Sequence, residues 1–74
     1  MFEKKDLLKI ARFPMPFGKY HGRTLIDLPE DYLLWFAHKG FPEGELGRLL
    51  ALTLEIQRNG LESLIEPLKN VPQS

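Results

Sequence analysis

Cysteine is absent from this 74-residue chain, and so are long apolar runs. Without cysteine there can be no disulfide framework and no thiolate metal site, which suits a reducing compartment such as the cytosol. No stretch approaches the roughly 20 apolar residues that a membrane-spanning helix needs. The apolar patch that follows residue 6 is also too short for the core of a secretion signal. We therefore predict a soluble, cytoplasmic protein with no membrane partner.

Net charge is lacking as well, because ten basic residues balance ten acidic ones. A dedicated nucleic-acid-binding domain usually carries a clear basic excess, which this chain does not have. The charges are nevertheless distributed unevenly. Residues 14–28 contain Lys19, His21 and Arg23 against the single acid Asp27, whereas residues 43–66 contain five glutamates against two arginines. One end of the molecule is therefore predicted to be mildly basic and the other acidic.

A chain of this length forms one small domain, predicted to cover residues 1–74 with a frayed tail at 71–74. Apolar residues recur at helical spacing in four places, and prolines or glycines separate these places. The predicted helices are residues 2–13, 29–39, a long helix from the 41–45 linker to about residue 59, and a short one near 61–66. Residues 16–28 are predicted to form a β-hairpin-like element that packs against the helices. The predicted fold class is therefore α+β and mostly helical.

Gly18 and Gly22 mark the expected turn of that hairpin-like element. Glycine adopts a positive φ without steric cost, so both are predicted to be structural turn residues. The side chains that the turn would present to a partner are Lys19, Tyr20, His21 and Arg23. An aromatic ring between basic groups is a common surface for binding a partner, so this turn is the predicted binding site.

The chemistry of this turn has more than one interpretation. A phosphate-binding P-loop has four residues between its glycines, then lysine and a helix. Here three residues intervene and arginine follows, so we reject nucleotide hydrolysis. On an extended segment Lys19, His21 and Arg23 would share one face, with Tyr20 opposite. Lys19 and Arg23 would then contact phosphates while bases stack on Tyr20. The alternative is a solvated turn with Tyr20 folded onto the core.

The aromatic residues Tyr32, Trp35 and Phe36 suggest a stacking platform at first sight. A chain this small needs its largest side chains inside, so we predict instead that these rings belong to the core. The predicted core comprises Leu7, Ile10, Phe17, Leu25, Leu28, Leu33, Trp35, Phe36, Leu46, Leu50, Leu54, Leu61 and Ile65.

No arrangement typical of catalysis or metal binding is visible in the sequence. The serines, Ser63 and Ser74, do not neighbour a histidine, and the carboxylates are scattered along amphipathic faces. His21 and His38 form no ligand pair at the spacing of a zinc site. His38 near a helix end is predicted to interact with the helix dipole. We predict that the protein has no catalytic residue, binds no metal or other cofactor, and is not an enzyme.

One pattern resembles a known family. It consists of Met15, Pro16, Phe17, Gly18, Lys19, Tyr20 and Gly22, followed by Leu28, Pro29, Tyr32, Leu33 and Trp35. With residues 39–47 and 59–61, it resembles short bacterial and phage proteins described as putative quorum-sensing-regulated virulence factors, over nearly the whole chain. The first part is also similar to the C-terminal extension of exodeoxyribonuclease X-like enzymes, over about half the chain. The first resemblance implies no reaction or catalytic residue, and the second implies a role beside nucleic acid.

These observations lead to two functional hypotheses. The first is a non-catalytic binding module of that family, which contacts nucleic acid or a nucleic-acid enzyme through residues 18–23. Because the net charge is zero, such binding should be weak and strongly salt-dependent. The second is an adaptor or regulator that docks on a protein partner through its apolar helices, or associates with itself as a homodimer.

Overall fold

A computed structural model describes residues 3–69, which form four α-helices joined by short segments. The α-helices are α1 (Lys4–Arg12), α2 (Glu30–Lys39), α3 (Glu45–Arg58) and α4 (Glu66–Lys69). Two single-turn 3-10 helices, Leu25–Asp27 and Glu62–Leu64, precede α2 and α4. The predicted frayed tail, residues 71–74, lies outside the described residues.

The predicted α+β class is wrong, because residues 3–69 contain no β-strand and no hairpin. The two arms of the expected hairpin form no ladder, and their β-pairing is limited to an isolated antiparallel bridge between Pro14 and Thr24. Proline has no N–H to continue a ladder on the first arm. The second arm turns at once into the 3-10 helix Leu25–Asp27, where the Asp27 N–H donates to the Thr24 carbonyl. The described part of the chain is therefore a mostly helical domain.

The helix boundaries follow local signals in the sequence. The first helix ends before Pro14, and Phe13 is extended, as expected for a residue that precedes proline. The second helix ends at Gly40, whose φ of 106° suits glycine and whose N–H donates to the Phe36 carbonyl. These two ends, and the end of α3 at Arg58, confirm the predictions.

The end of the described chain differs from its prediction. The helix predicted near residues 61–66 is instead the 3-10 turn Glu62–Leu64, and α4 begins only at Glu66. Pro67 lies in the first turn of α4. Backbone N–H groups in a first turn have no intrahelical acceptor, so proline is tolerated there.

The core lies between α1, α2, α3 and the 3-10 helix Leu25–Asp27. Its fully or nearly buried apolar residues are Ile10, Ala11, Met15, Leu25, Ile26, Leu28, Leu33, Phe36, Leu49, Leu50, Leu54, Ile56 and Ile65. Leu7, Leu46 and Leu61 of the predicted core are partly buried at its edge. Phe17 and Trp35 were predicted wrongly, since they are 45% and 53% exposed. Met15 takes the place that was expected for Phe17.

A hydrogen-bonded connection between helix and loop fixes the segment before α2. The side-chain amide of Gln57 on α3 donates to the carbonyl oxygens of Ile26 (3.2 Å) and Leu28 (2.8 Å). In a β-hairpin, carbonyl groups such as these would accept hydrogen bonds from a neighbouring strand. Lys69 on α4 also donates to the Asp27 carboxylate at 2.8 Å. Side chains from α3 and α4 therefore support this turn in place of a β-ladder.

Ion pairs connect α1 to α3. The two terminal guanidinium nitrogens of Arg48, Nη1 and Nη2, donate to the carboxylate of Asp6 at 2.9 and 3.1 Å, and the Asp6 side chain is nearly buried. Lys9 donates to Glu45 at 2.7 Å. The hydrogen bond from Arg48 lowers the pKa of Asp6 below its usual value of 3.8, and that from Lys9 lowers the pKa of Glu45 below 4.5. A bidentate pair of this kind holds the two helices in register.

The lowered pKa values of Asp6 and Glu45 predict a loss of stability in acid. A carboxylate whose pKa is lower in the folded state contributes stability that is complete above its unfolded pKa. That contribution is lost as the pH falls below about 4.5 and through the folded values. We expect the melting temperature of the parent to fall over this range more steeply than that of Asp6→Asn. If the melting temperatures of the two proteins fell equally steeply with decreasing pH, this prediction would be contradicted.

Candidate nucleic-acid interface

The chain reverses direction between Pro14 and Thr24, and residues 18–23 form the tip of this reversal, which we call the basic loop. The Met15 N–H donates to the Arg23 carbonyl and the Gly22 N–H donates to the Met15 carbonyl, both at 2.8 Å. The Leu25 N–H donates to the Phe13 carbonyl at 3.0 Å. These bonds close the base of the loop around Met15, whose side chain is fully buried.

Gly18 and Gly22 have positive φ angles of 80° and 90°, which confirms their prediction as turn residues. Between them the chain makes two further turns, in which the His21 N–H donates to the Gly18 carbonyl and the Arg23 N–H to the Tyr20 carbonyl. The segment is therefore coiled and not extended. The expectation that basic residues would alternate on one face, with Tyr20 on the other, is wrong for this reason.

The cationic groups of Lys19 and Arg23 both lie close to the ring of Tyr20. The Lys19 Nζ lies 5.5 Å and the Arg23 Cζ 5.3 Å from the centre of that ring. Both distances suit a cation–π interaction, which is worth about 0.5–1 kcal/mol at an exposed site. His21 is exposed in the same loop.

The charges of Lys19 and Arg23 are not neutralised within the described residues. Residues 13–24 contain no acidic residue, and neither side chain forms an ion pair with any residue in 3–69. The Lys9, Arg48 and Lys69 cations on the helices, by contrast, each contact a carboxylate. The basic loop therefore presents to solvent two positive charges that both lie close to the Tyr20 ring.

Tyr20 is half-buried and not a free stacking surface. Its ring packs against Tyr32 on α2, with centres 4.7 Å apart and planes at 70°. Burial, with a smaller contribution from Tyr20, raises the pKa of Tyr32 above its usual value of 10.0, so its hydroxyl is neutral at physiological pH. Tyr20 thus packs on the core, as in the alternative interpretation of the turn. Its ring also positions Lys19 and Arg23.

The rings continue from Tyr20 along α2 to the surface. Tyr32 contacts Phe36 with ring centres 5.1 Å apart, and Phe36 contacts Trp35 at the same distance. Trp35 is half-exposed at the end of this row. The sequence did not reveal this exposure, because residues 32–37 are apolar all round the helix. The one available signal was that adjacent bulky residues on a ten-residue helix cannot all face a single neighbouring element.

The two loop glycines differ in what an added side chain would meet. A Cβ on Gly18 would lie 2.9 Å from the Tyr32 hydroxyl, whereas a Cβ on Gly22 would meet nothing within 4 Å. Both positions carry the strain of a positive φ, which costs a residue with a Cβ roughly 1–2 kcal/mol. We expect both alanine variants to melt below the parent, and Gly18→Ala to melt below Gly22→Ala. If both variants were more stable than the parent, the turn geometry would be contradicted.

Residues 3–69 hold no group of three histidine or acidic side chains that could bind a metal ion. His21 and His38 are both exposed, and His38 lies in the last turn of α2, where a positive charge favours the helix dipole. None of the helices in this part of the chain combines the length and apolarity that crossing a bilayer requires. The absence of catalytic residues and cofactors stays a prediction.

A mostly helical domain with a cationic loop is thus the class of protein that this geometry defines. The chain belongs to the family described as putative quorum-sensing-regulated virulence factors, whose model matches residues 3–68, and this confirms the resemblance. It is 60% identical over 68 residues to a protein of Escherichia coli K12 named "Uncharacterized protein YpeB". The match covers 90% of this chain and 94% of that protein, and a protein of the same name in E. coli O157:H7 matches equally. No solved structure matches this chain.

Proposed function

We propose that this protein is a non-catalytic binding module that contacts nucleic acid through the basic loop. One observation carries the proposal: Lys19 and Arg23 are exposed, lie over one tyrosine ring, and form no ion pair with residues 3–69. Surface cations usually contribute solubility as single charges spread among acids. Two that share one ring, in a segment without an acid, form a small site that suits phosphate.

The chemistry of each cation fits this role. The Arg23 guanidinium is planar and donates two parallel hydrogen bonds to phosphate oxygens, whereas the Lys19 ammonium acts as a compact point charge. His21 adds a further donor in the same loop. With only these groups and no net charge on the chain, few counterions are released on binding. The affinity should therefore be weak, and it should fall as salt is added.

Binding of a labelled single-stranded oligonucleotide at low salt, measured by fluorescence anisotropy, tests the proposal. The double variant Lys19→Gln with Arg23→Gln removes both charges and keeps part of each aliphatic stem. The matched control, Lys4→Gln with Arg58→Gln, removes two exposed charges outside the loop. We expect the loop variant to bind at least about tenfold more weakly, because it loses two charge-assisted phosphate contacts.

Two results would count against nucleic-acid binding through the loop. One is a parent protein that shows no binding at high micromolar concentration in low salt. The other is an equal loss of affinity in the loop variant and in the control. Circular dichroism melting of all three proteins must show the same fold for the comparison to hold.

A second candidate function is protein–protein association, as an adaptor or as a homodimer. It is favoured by the large apolar side chains that the described surface exposes, which are Phe13, Phe17, Leu34, Trp35 and Leu64. Exposed apolar surface of this kind marks interaction sites when it is contiguous. Sedimentation measurements distinguish the candidates. A mass that rises with concentration, in a protein without affinity for oligonucleotides, would favour association.

A further inference from the structure

Trp35 is a large aromatic side chain on the surface of a very small domain. It is 53% exposed, although neighbouring Phe36 is almost buried. An indole in this position leaves apolar surface in water unless a partner covers it. We propose that Trp35 stacks on an unpaired base, and that the partner of the basic loop is therefore a single-stranded nucleic acid. This inference rests on the proposed function of the loop.

The orientation of Trp35 is fixed by the rings beneath it. Its ring meets Phe36 edge-on, with planes at 76°. Phe36 meets Tyr32 in the same manner at 81°, and Tyr32 meets Tyr20 at 70°. Three successive ring contacts therefore connect the Trp35 indole to Tyr20, the ring that Lys19 and Arg23 contact. Because Phe36 is almost buried, Trp35 is the ring of this row that offers an exposed face to a base.

The charges along α2 also favour a nucleic-acid strand that runs from the basic loop to Trp35. Lys39 lies one turn beyond Trp35, is exposed, and forms no ion pair with residues 3–69. The acidic residues of α2, Glu30 and Asp31, lie in its first turn, and Asp31 is one turn before Trp35, on the side opposite to Lys39. The exposed ring of Trp35 therefore has one cation a turn beyond it and the basic loop at the other end of the row of rings, and cations that flank an exposed ring bind backbone phosphates while a base stacks on the ring.

Stacking on Trp35 selects single strands over duplexes. In a duplex both faces of every internal base are covered by neighbouring bases, so no face is free for an indole. An unpaired base offers its face to any aromatic ring, and such stacking tolerates every sequence. The expected preference is for single strands of any composition over a duplex of equal length.

Trp35 is the sole tryptophan, so its fluorescence reports directly on its own contacts. We expect oligothymidylate to quench the emission of the parent with the same dissociation constant that anisotropy gives. A duplex of equal length should bind more weakly and quench less. By anisotropy, Trp35→Ala should bind oligothymidylate at least about fivefold more weakly, since it removes the ring on which a base stacks.

Two further variants control for ring chemistry and for unspecific adsorption. Trp35→Phe keeps an aromatic face and should recover most of the affinity lost in Trp35→Ala. Phe13→Ala removes another exposed aromatic ring, at the end of α1, and should bind like the parent. Thermal melting verifies that each variant is folded.

The failures of this inference and of the proposed function are distinguishable. If the parent binds through Lys19 and Arg23 but the Trp35 emission does not change, stacking is overturned and the loop site stands. If Trp35→Ala abolishes self-association and leaves oligonucleotide affinity intact, Trp35 belongs to a protein interface and the inference is likewise overturned. If the parent binds no oligonucleotide, the proposed function fails.

Discussion

Gly47→Ala is expected to lower the free energy of unfolding by about 3 kcal/mol or more, the largest effect of any single added methyl group. Gly47 is buried in the first turn of α3, and the preceding linker folds back against it. A Cβ there would overlap the carbonyl oxygen of Pro42 and lie 2.8 Å from its carbonyl carbon. Both are backbone atoms, so relief requires the linker to move.

This expectation is opposite to the one from helix propensity. Alanine in place of a helical glycine ordinarily stabilises by roughly 0.5–1 kcal/mol. The exposed helical residue Ala37 supplies the control, since Ala37→Gly should cost only about 1 kcal/mol. Chemical denaturation of both variants measures the two effects. A Gly47→Ala protein as stable as the parent would show that Pro42 does not approach the helix as closely as the structure indicates.

Met15→Ala is expected to have the second largest effect, a loss of about 2–5 kcal/mol, as for other fully buried side chains cut back to alanine. Met15 is 0% exposed and packs in the core beneath the basic loop. Its backbone also pairs with Arg23 and Gly22. Because these backbone bonds survive the substitution, the loss measures the packing of the side chain.

Two controls accompany Met15→Ala. Met15→Leu conserves the volume and should cost less than about 1.5 kcal/mol. Phe17→Ala cuts back a larger side chain that is 45% exposed, and should cost no more than about 1 kcal/mol. Melting curves of the three variants give the comparison. A greater loss in Phe17→Ala than in Met15→Ala would restore Phe17 to the core, where the sequence pattern had placed it.

The sequence predicted those parts of the fold that depend on local chemistry. Pro14 ends α1, Gly40 ends α2, and Gly18 and Gly22 adopt positive φ, because these residues restrict or permit particular backbone angles wherever they occur. The β-hairpin was predicted wrongly because its alternative depends on distant groups. Gln57, which satisfies two carbonyls in the 3-10 segment, lies about thirty residues along the chain.

Burial within apolar segments was equally beyond local prediction. The helix α2 is apolar on several sides, so the pattern alone could not show that Leu33 is buried while Trp35 is not. The burial of Asp6 likewise depends on Arg48, 42 residues away. In the candidate site, the residue types were predicted from the loop, but the approach of Lys19 and Arg23 to the Tyr20 ring required the coiled backbone.

The salt dependence of oligonucleotide binding tests the central claim most directly. For single strands, the slope of log affinity against log salt changes by about 0.7 for each phosphate contact. The account predicts that Lys19→Gln with Arg23→Gln reduces the magnitude of the slope by about 1.4, for two lost contacts. Lys4→Gln with Arg58→Gln should leave it unchanged. Equal slopes for the parent and the loop variant would contradict the assignment of Lys19 and Arg23 as phosphate-binding residues.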